Sequence, residues 1–280
     1  MGASVSQVAA GELPRSLRWS GIGLVGASWI SAGAFGLYIL AFYLGKLTAG
    51  HAEAWNEILD GLYEKGNLAA LASMSAHLAA GAIVLLLGPV QFIGAIRNRW
   101  PVVHRWIGRT YVVTCGLAGL GGLIFIATKG TIGGAAMNVG FGLYGVLMVL
   151  ASIQAWRYAA ARRFDLHRAW AIRLFALAIG SWLYRMDYGF WLLAVHRIGH
   201  QSDFHGPFDR IMAFFFYLPN LAVAELYLRS TWLKEHGAMR TATVVLMNVA
   251  TLVVAVGTYY FLRFYWGPGI LGAFGKASSF

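Results

Sequence analysis

The chain is poor in charge, and that scarcity excludes most ordinary possibilities. Of its 280 residues only 12% are Asp, Glu, Lys or Arg, against 59% hydrophobic, with mean hydropathy +0.62. A soluble domain carries about twice that charged share, so a water-facing globule is excluded and lipid is the natural solvent. A lone cysteine, Cys115, rules out an internal disulfide. The five lysines stand at 46, 65, 129, 234 and 276, none of them inside an apolar run, so a retinal Schiff base has no amine. Neither a Ser-His-Asp nor a paired-carboxylate hydrolytic motif can be read from the spacing.

What is present is a series of long apolar runs. Trp19 to Leu44 passes without a charge, longer than the roughly 20 residues that cross a bilayer. Further runs centre near Leu86, Leu117, Leu147, Ile179, Tyr217 and Val254. They predict seven helices at about 19–45, 71–96, 105–128, 134–158, 168–195, 208–229 and 242–265. A β-barrel would need short alternating segments, and these runs are continuous. The expectation is an all-α, polytopic transmembrane bundle, one integral membrane domain over 1–280 with no soluble module. Arg15, Arg18 and Ala32-x-Ala34 imitate a signal peptide, but the run is too long for one and is expected to stay as a span. Trp55, Ile58, Leu59, Leu62 and Tyr63, spaced by threes and fours in the 46–70 loop, predict a short amphipathic surface helix. Ala118/Gly122, Cys115/Gly119 and Gly142/Gly145 predict close helix approach. Gly21-x-Gly23-x-x-Gly26 has the letters of a dinucleotide fingerprint without its strand, and is read as accidental.

The net charge of +11 is unevenly placed. Arg15, Arg18, Arg97, Arg99, Arg105, Arg109, Arg157, Arg162, Arg163, Arg168, Arg173, Arg229, Lys234 and Arg240 collect on one side, 14 of the 22 basic residues. The other side holds Lys46, Lys65, Lys129, Arg197 and Arg210, diluted by Glu53, Glu57, Asp60, Glu64, Asp203 and Asp209. The positive-inside rule then places the N-terminus in the cytoplasm of a bacterial inner (plasma) membrane protein. Such a rim attracts anionic lipid headgroups. Nucleic acid is not implied, because every basic cluster lies within a turn or two of a span.

A basic phrase occurs twice at the start of an apolar run. His104-Arg105-Trp106-x-x-Arg109 returns as His167-Arg168-x-Trp170-x-x-Arg173, and Gln91 and Gln154 each lie thirteen residues upstream of the histidine. With Arg99/Arg162 this suggests a repeated helix pair, spans 2–3 and 4–5, offset by 63 residues. Two spans per unit keep both copies in one orientation and bring both histidines to the cytoplasmic face.

Gly88-Pro89-x-Gln91-Phe92, His104-Arg105-Trp106-x-Gly108-Arg109, His167-Arg168 with Arg173, Arg185, and Pro219-Asn220 with Glu225 form an ordered set. Together with His77 it resembles a bacterial family of multi-pass membrane proteins of unknown function. The resemblance covers about 70–230, leaving the first span and the last outside, and implies a helical inner-membrane protein without dictating its chemistry. The helix pairs with membrane histidines are also similar to transmembrane b-type cytochromes of the cytochrome b561 kind, which hold bis-histidine haems between neighbouring helices. That resemblance implies haem b. An outer haem on His77 would need a histidine on span 4, and Met137 to Trp156 contains none.

Four constellations carry chemistry. His104 and His167 are suited to axial ligation of haem, with Arg105, Arg109, Arg168 and Arg173 for its propionates; the same residues also suit interfacial anchoring. His77 is expected to meet Arg185 and Asp187, since ionisable groups in a membrane pair or line a cavity. His196-x-x-x-His200-x-x-Asp203-x-His205 reads either as a metal site or as solvated loop histidines. Asn220 and Glu225 read as an interior polar pair that carries protons or binds a quinone, or Glu225 snorkels beside Arg229. Three functions follow: a haem-linked electron-transfer protein served by a quinone or small reductant, a non-catalytic subunit or scaffold of a membrane complex, and a proton-coupled transporter using Arg185, Asp187 and Glu225.

Overall fold

Every one of the seven apolar runs folds as helix. The computed structural model describes residues 14–58, 62–229 and 236–273; Leu59, Asp60, Lys234 and Lys276 lie outside the described residues. The elements are α1 Arg15–Thr48, α2 Leu68–Val90, the short α3 Gly94–Arg99, α4 Pro101–Lys129, α5 Gly134–Ala160, α6 Phe164–Ala178, α7 Gly180–Ala194, α8 Pro207–Phe215, α9 Leu218–Leu228 and α10 Gly237–Ala273. No strand occurs among the described residues. Five segments are long and apolar enough to cross a membrane: α1, α4, α5, the α8–α9 unit and α10. The protein is a helical membrane bundle.

The breaks have local causes. α2 stops at Val90 rather than 96 because Pro89 lies at its end; a short basic helix follows, and Pro101 opens α4 at the position where a missing N–H costs nothing. The 208–229 segment breaks at Phe216–Tyr217, just before Pro219 in the first turn of α9. Asn220 Nδ2 donates to the Phe216 carbonyl at 2.8 Å, and the buried Tyr217 hydroxyl donates to Gly140 O at 3.1 Å. The 168–195 segment breaks at Ile179. There the Tyr144 hydroxyl donates to Leu177 O and Ser181 to Ala178 O. The two breaks meet: a Cβ on Gly180 would lie 2.9 Å from Phe216 O.

One core joins α1, α2, α7 and α10 around Trp182, Tyr43, Trp55 and Leu85. A second joins α2, α4, α5, α6, α7 and the α8–α9 unit around Tyr111, Cys115, Leu174 and Tyr217. Large apolar side chains such as Ile30, Leu117, Ile124, Val139 and Leu252 face outward, as lipid requires. The 46–70 loop departs from expectation. Between α1 and α2 the described residues hold one short 3-10 helix, Ala52–Glu57, and Trp55 is fully buried, with its indole N–H on Tyr43 O at 3.0 Å. Asn56 and Tyr63 close the loop through two reciprocal hydrogen bonds. An indole with a carbonyl partner does better inside the protein than at a surface.

The repeat is partly structural. His104 and His167 are each the fourth residue of their helices, after Pro101 and Phe164. The upstream glutamines differ: Gln91 lies in a turn, whereas Gln154 lies within α5.

Small residues on α4 and α5 serve unequally. A Cβ on Gly145 would lie 2.9 Å from Leu123 Cγ and 3.2 Å from Gly119 O, while Gly122 and Gly142 have open space around them. Gly145→Leu should therefore lower the thermal midpoint in detergent, by about 1–3 kcal/mol of apparent stability from overpacking. Gly142→Ala should hold or raise it, since the helix gains up to about 1 kcal/mol of propensity.

Candidate functional site

At the basic end, α4 and α6 both begin, each packed along α5 and against α2. His167 Nδ1 lies 2.9 Å from the Ala155 carbonyl. A carbonyl only accepts, so Nδ1 carries a proton, and in the neutral ring the lone pair is then on Nε2. His104 Nδ1 is buried without a partner. The two histidines lie close enough for their charges to act on each other, and Arg97 joins them. Gln91 reaches in from the turn after α2: a Cβ on Gly108, one turn beyond His104, would lie 3.0 Å from its Oε1. Its Nε2 is buried and unpartnered, as is the hydroxyl of Tyr111, another turn along. His104, Gly108, Tyr111 and Cys115 recur by threes and fours, so they form one stripe of α4. Three orphaned polar atoms along one seam mark a place where water or a ligand binds, because buried polar groups are otherwise paired. Gln91 was legible as a repeat marker and as part of the Gly88-Pro89-x-Gln91-Phe92 phrase, and Tyr111 not at all; an aromatic in an apolar run announces nothing about its hydroxyl.

The arginines divide into two kinds. Arg105, Arg109 and Arg168 are exposed and make no salt bridge among the described residues; Arg109 lies over the Trp106 ring at 5.1 Å. Arg173 forms a two-pronged pair with Glu225, Nη2 to Oε2 at 3.1 Å and Nε to Oε1, and lies over Trp170 at 4.9 Å. Each cancels the other's charge and α6 is tied to α9. Glu225 thus meets Arg173, not Arg229, and neither is free for other work. Asn220 is occupied with the helix break.

Farther along the bundle sits Arg185. It lies about 14 Å below the end of α7, counting nine residues at 1.5 Å each. A guanidinium at such depth costs about 2.5–3.5 kcal/mol or more unless something compensates it. Its Nη1 donates to Ser181 O at 2.8 Å and it lies 5.9 Å above the Phe35 ring. Its charge also acts on Tyr43, Tyr144, Tyr184 and His77. No carboxylate pairs with it among the described residues. Asp187, two residues on, sits about 200° around the helix and makes no ion pair there either. The expected meeting of His77 with Arg185 therefore does not extend to Asp187.

At the opposite end, the expected metal ligands stay apart. Residues 196–206 are a loop, with His196 and Arg197 at positive φ, so the four-residue spacing never shares a helical face. His200 Nδ1 donates to Asp209 at 2.7 Å, His205 turns to the Asp203 carbonyl, and His196 is exposed. Among the described residues no group of three His, Cys, Asp or Glu is arranged to hold a metal. Asp209 is the hub. Only 1% exposed, it accepts from the Tyr188 hydroxyl and His200 at 2.7 Å each, and from the Gln201 and Gly206 amides at 3.0 Å. The legible signal was Gly206-Pro207-x-Asp209, a helix start with an acid at its third position.

Two measurements follow. Asp209→Ala strands four donors and should cost about 2–4 kcal/mol of apparent stability, read as a lower thermal midpoint. Arg173→Met should cost about 1–3 kcal/mol, between the surface and buried extremes, and the Arg173→Met/Glu225→Met double variant should recover most of it. A double variant no better than the single one would show that the pair does more than cancel charge.

No curated protein and no solved structure matches the chain. The DUF2306 family of predicted membrane proteins matches residues 74–228, which run from α2 to the end of α9 and include His77, His104, His167, Arg185 and Glu225. That span is more than half of the sequence, and the chain belongs to the DUF2306 family of predicted membrane proteins.

Proposed function

We propose that this protein is a redox-linked membrane protein of the bacterial inner membrane that holds haem b at its basic end, between His104 and His167. One observation carries the reading. The Ala155 carbonyl fixes the His167 tautomer and leaves Nε2 with a free lone pair, the second-shell arrangement that prepares an imidazole for metal. The fit of the other residues supports it. His104 stands nearby with a buried unpartnered Nδ1, and Arg105, Arg109 and Arg168 have no carboxylate partner among the described residues, which leaves them to propionates. Arg173 drops out of this set, since Glu225 holds it.

When bound, haem supplies one-electron storage. The chain's own residues do the rest. His167 keeps its orientation through Ala155, the exposed arginines place positive charge where carboxylates and anionic headgroups meet, and the Gln91–Tyr111 seam offers hydrogen bonds to water or to a quinol. The transporter reading keeps Arg185, which has no counter-charge among the described residues, but loses Glu225 to its ion pair.

The test is an absorption spectrum. Full-length protein purified in detergent from haem-replete cells should show a Soret band that moves on reduction, and His167→Ala and His104→Ala should each lose most of it. A colourless, iron-free preparation overturns the proposal. So does an unchanged spectrum in both variants.

A further inference from the structure

We propose that Arg185 anchors a binding site, separate from the basic-end histidines, for an oxyanion: a carboxylate or phosphate group held deep in the bundle. The site follows from a charge that no described residue balances. Arg185 keeps more than a third of its surface uncovered by protein while lying against the Phe35 ring and within range of Tyr43, Tyr144 and Tyr184, so its guanidinium is not packed over. A guanidinium has five N–H donors in a planar fork, and the protein uses one, on Ser181 O. The rest are free for the two parallel hydrogen bonds that a carboxylate or phosphate accepts.

The surroundings point the same way. Tyr43, Tyr144 and Tyr184 lie within range of the charge but are neutral, so none of them cancels it. His77, also within range, repels it when protonated. One turn before Arg185 on the same face, Trp182 is 1% exposed and its indole N–H has no partner. An orphaned donor beside an uncompensated cation wants an acceptor that carries negative charge. Cation–π cover from Phe35 closes one face of the fork, leaving its edge for the ligand. The anion has two sources: the head of an amphiphile entering from the bilayer, or a small anion entering from water.

The experiment uses the full-length protein in nanodiscs of neutral phosphatidylcholine, with empty nanodiscs as the blank. Equilibrium binding of labelled oleate and of labelled inorganic phosphate is measured on wild type, Arg185→Gln, Arg185→Lys and Trp182→Phe. Wild type should bind one of the two probes saturably. Arg185→Gln should weaken it by about 10–100-fold, the size expected for losing charge-assisted hydrogen bonds. Lysine should fall between, keeping the charge without the fork, and Trp182→Phe should lose a few-fold. Saturable oleate binding identifies an amphiphile, and saturable phosphate binding a small anion; either supports the site. Saturable binding of neither probe overturns it, as does wild-type affinity in a folded Arg185→Gln variant. Should that variant not fold, wild-type affinity in both Arg185→Lys and Trp182→Phe overturns it equally. Haem content plays no part in this readout, so failure here leaves the basic-end proposal standing.

Discussion

The structure depends on a backbone constraint: inside a membrane no water is at hand to rescue a carbonyl that a helix lets go. Two helices of this bundle let go near mid-span, at Ile179 and at Phe216–Tyr217, and the breaks are placed against each other. Four side chains make good the loss. Tyr144, Ser181, Asn220 and Tyr217 each donate to a backbone carbonyl at or facing the junction. Irregular backbone survives at this depth only where protein groups replace the missing ladder. The junction also determines where α7 starts and how it is turned, which in turn sets which way Trp182, Arg185 and Tyr188 point.

From that pivot the polar groups sort into two classes. Some are spent on architecture: Arg173 with Glu225, Asp209 with Tyr188 and His200, Asn220 with Phe216. Each of these has a partner inside the fold. Others are held in place with capacity left over: His104, Gln91 and Tyr111 along one seam, and Trp182 beside Arg185. Stability explains the first class. The second class costs free energy as it stands, because an unpaired buried donor has given up water and received nothing. Such groups belong where something else binds.

Much of the fold was legible, because its main determinant is one-dimensional. Continuous apolar runs near twenty residues long leave helices as the only spanning form, and each of the seven runs is helical. Pro89, Pro101 and Pro219 even mark where helices end, begin or bend. The candidate site was legible in part. The twice-occurring His-Arg phrase places His104 and His167 at equivalent helix positions, four residues from each start. Spacing said nothing of the Ala155 carbonyl that fixes one imidazole, nor of Glu225 taking Arg173 out of the cluster. The histidines at 196, 200 and 205 misled for a clear reason. A four-residue interval implies a shared face only on a helix, and positive φ at His196 and Arg197 makes that stretch a loop.

Hydrophobic length and proline positions therefore gave the solvent, the element type and most boundaries, since each acts through neighbours along the chain. Partnership was decided only in three dimensions. Which arginine is cancelled, which carboxylate is buried, and which donor is left empty depend on groups far apart in the sequence, as with Tyr217 and Gly140, 77 residues apart. Asp187 and Arg185 show the limit most plainly. They are two letters apart in the sequence, yet helical rotation separates them, and the charge of Arg185 is left for something other than its nearest acid.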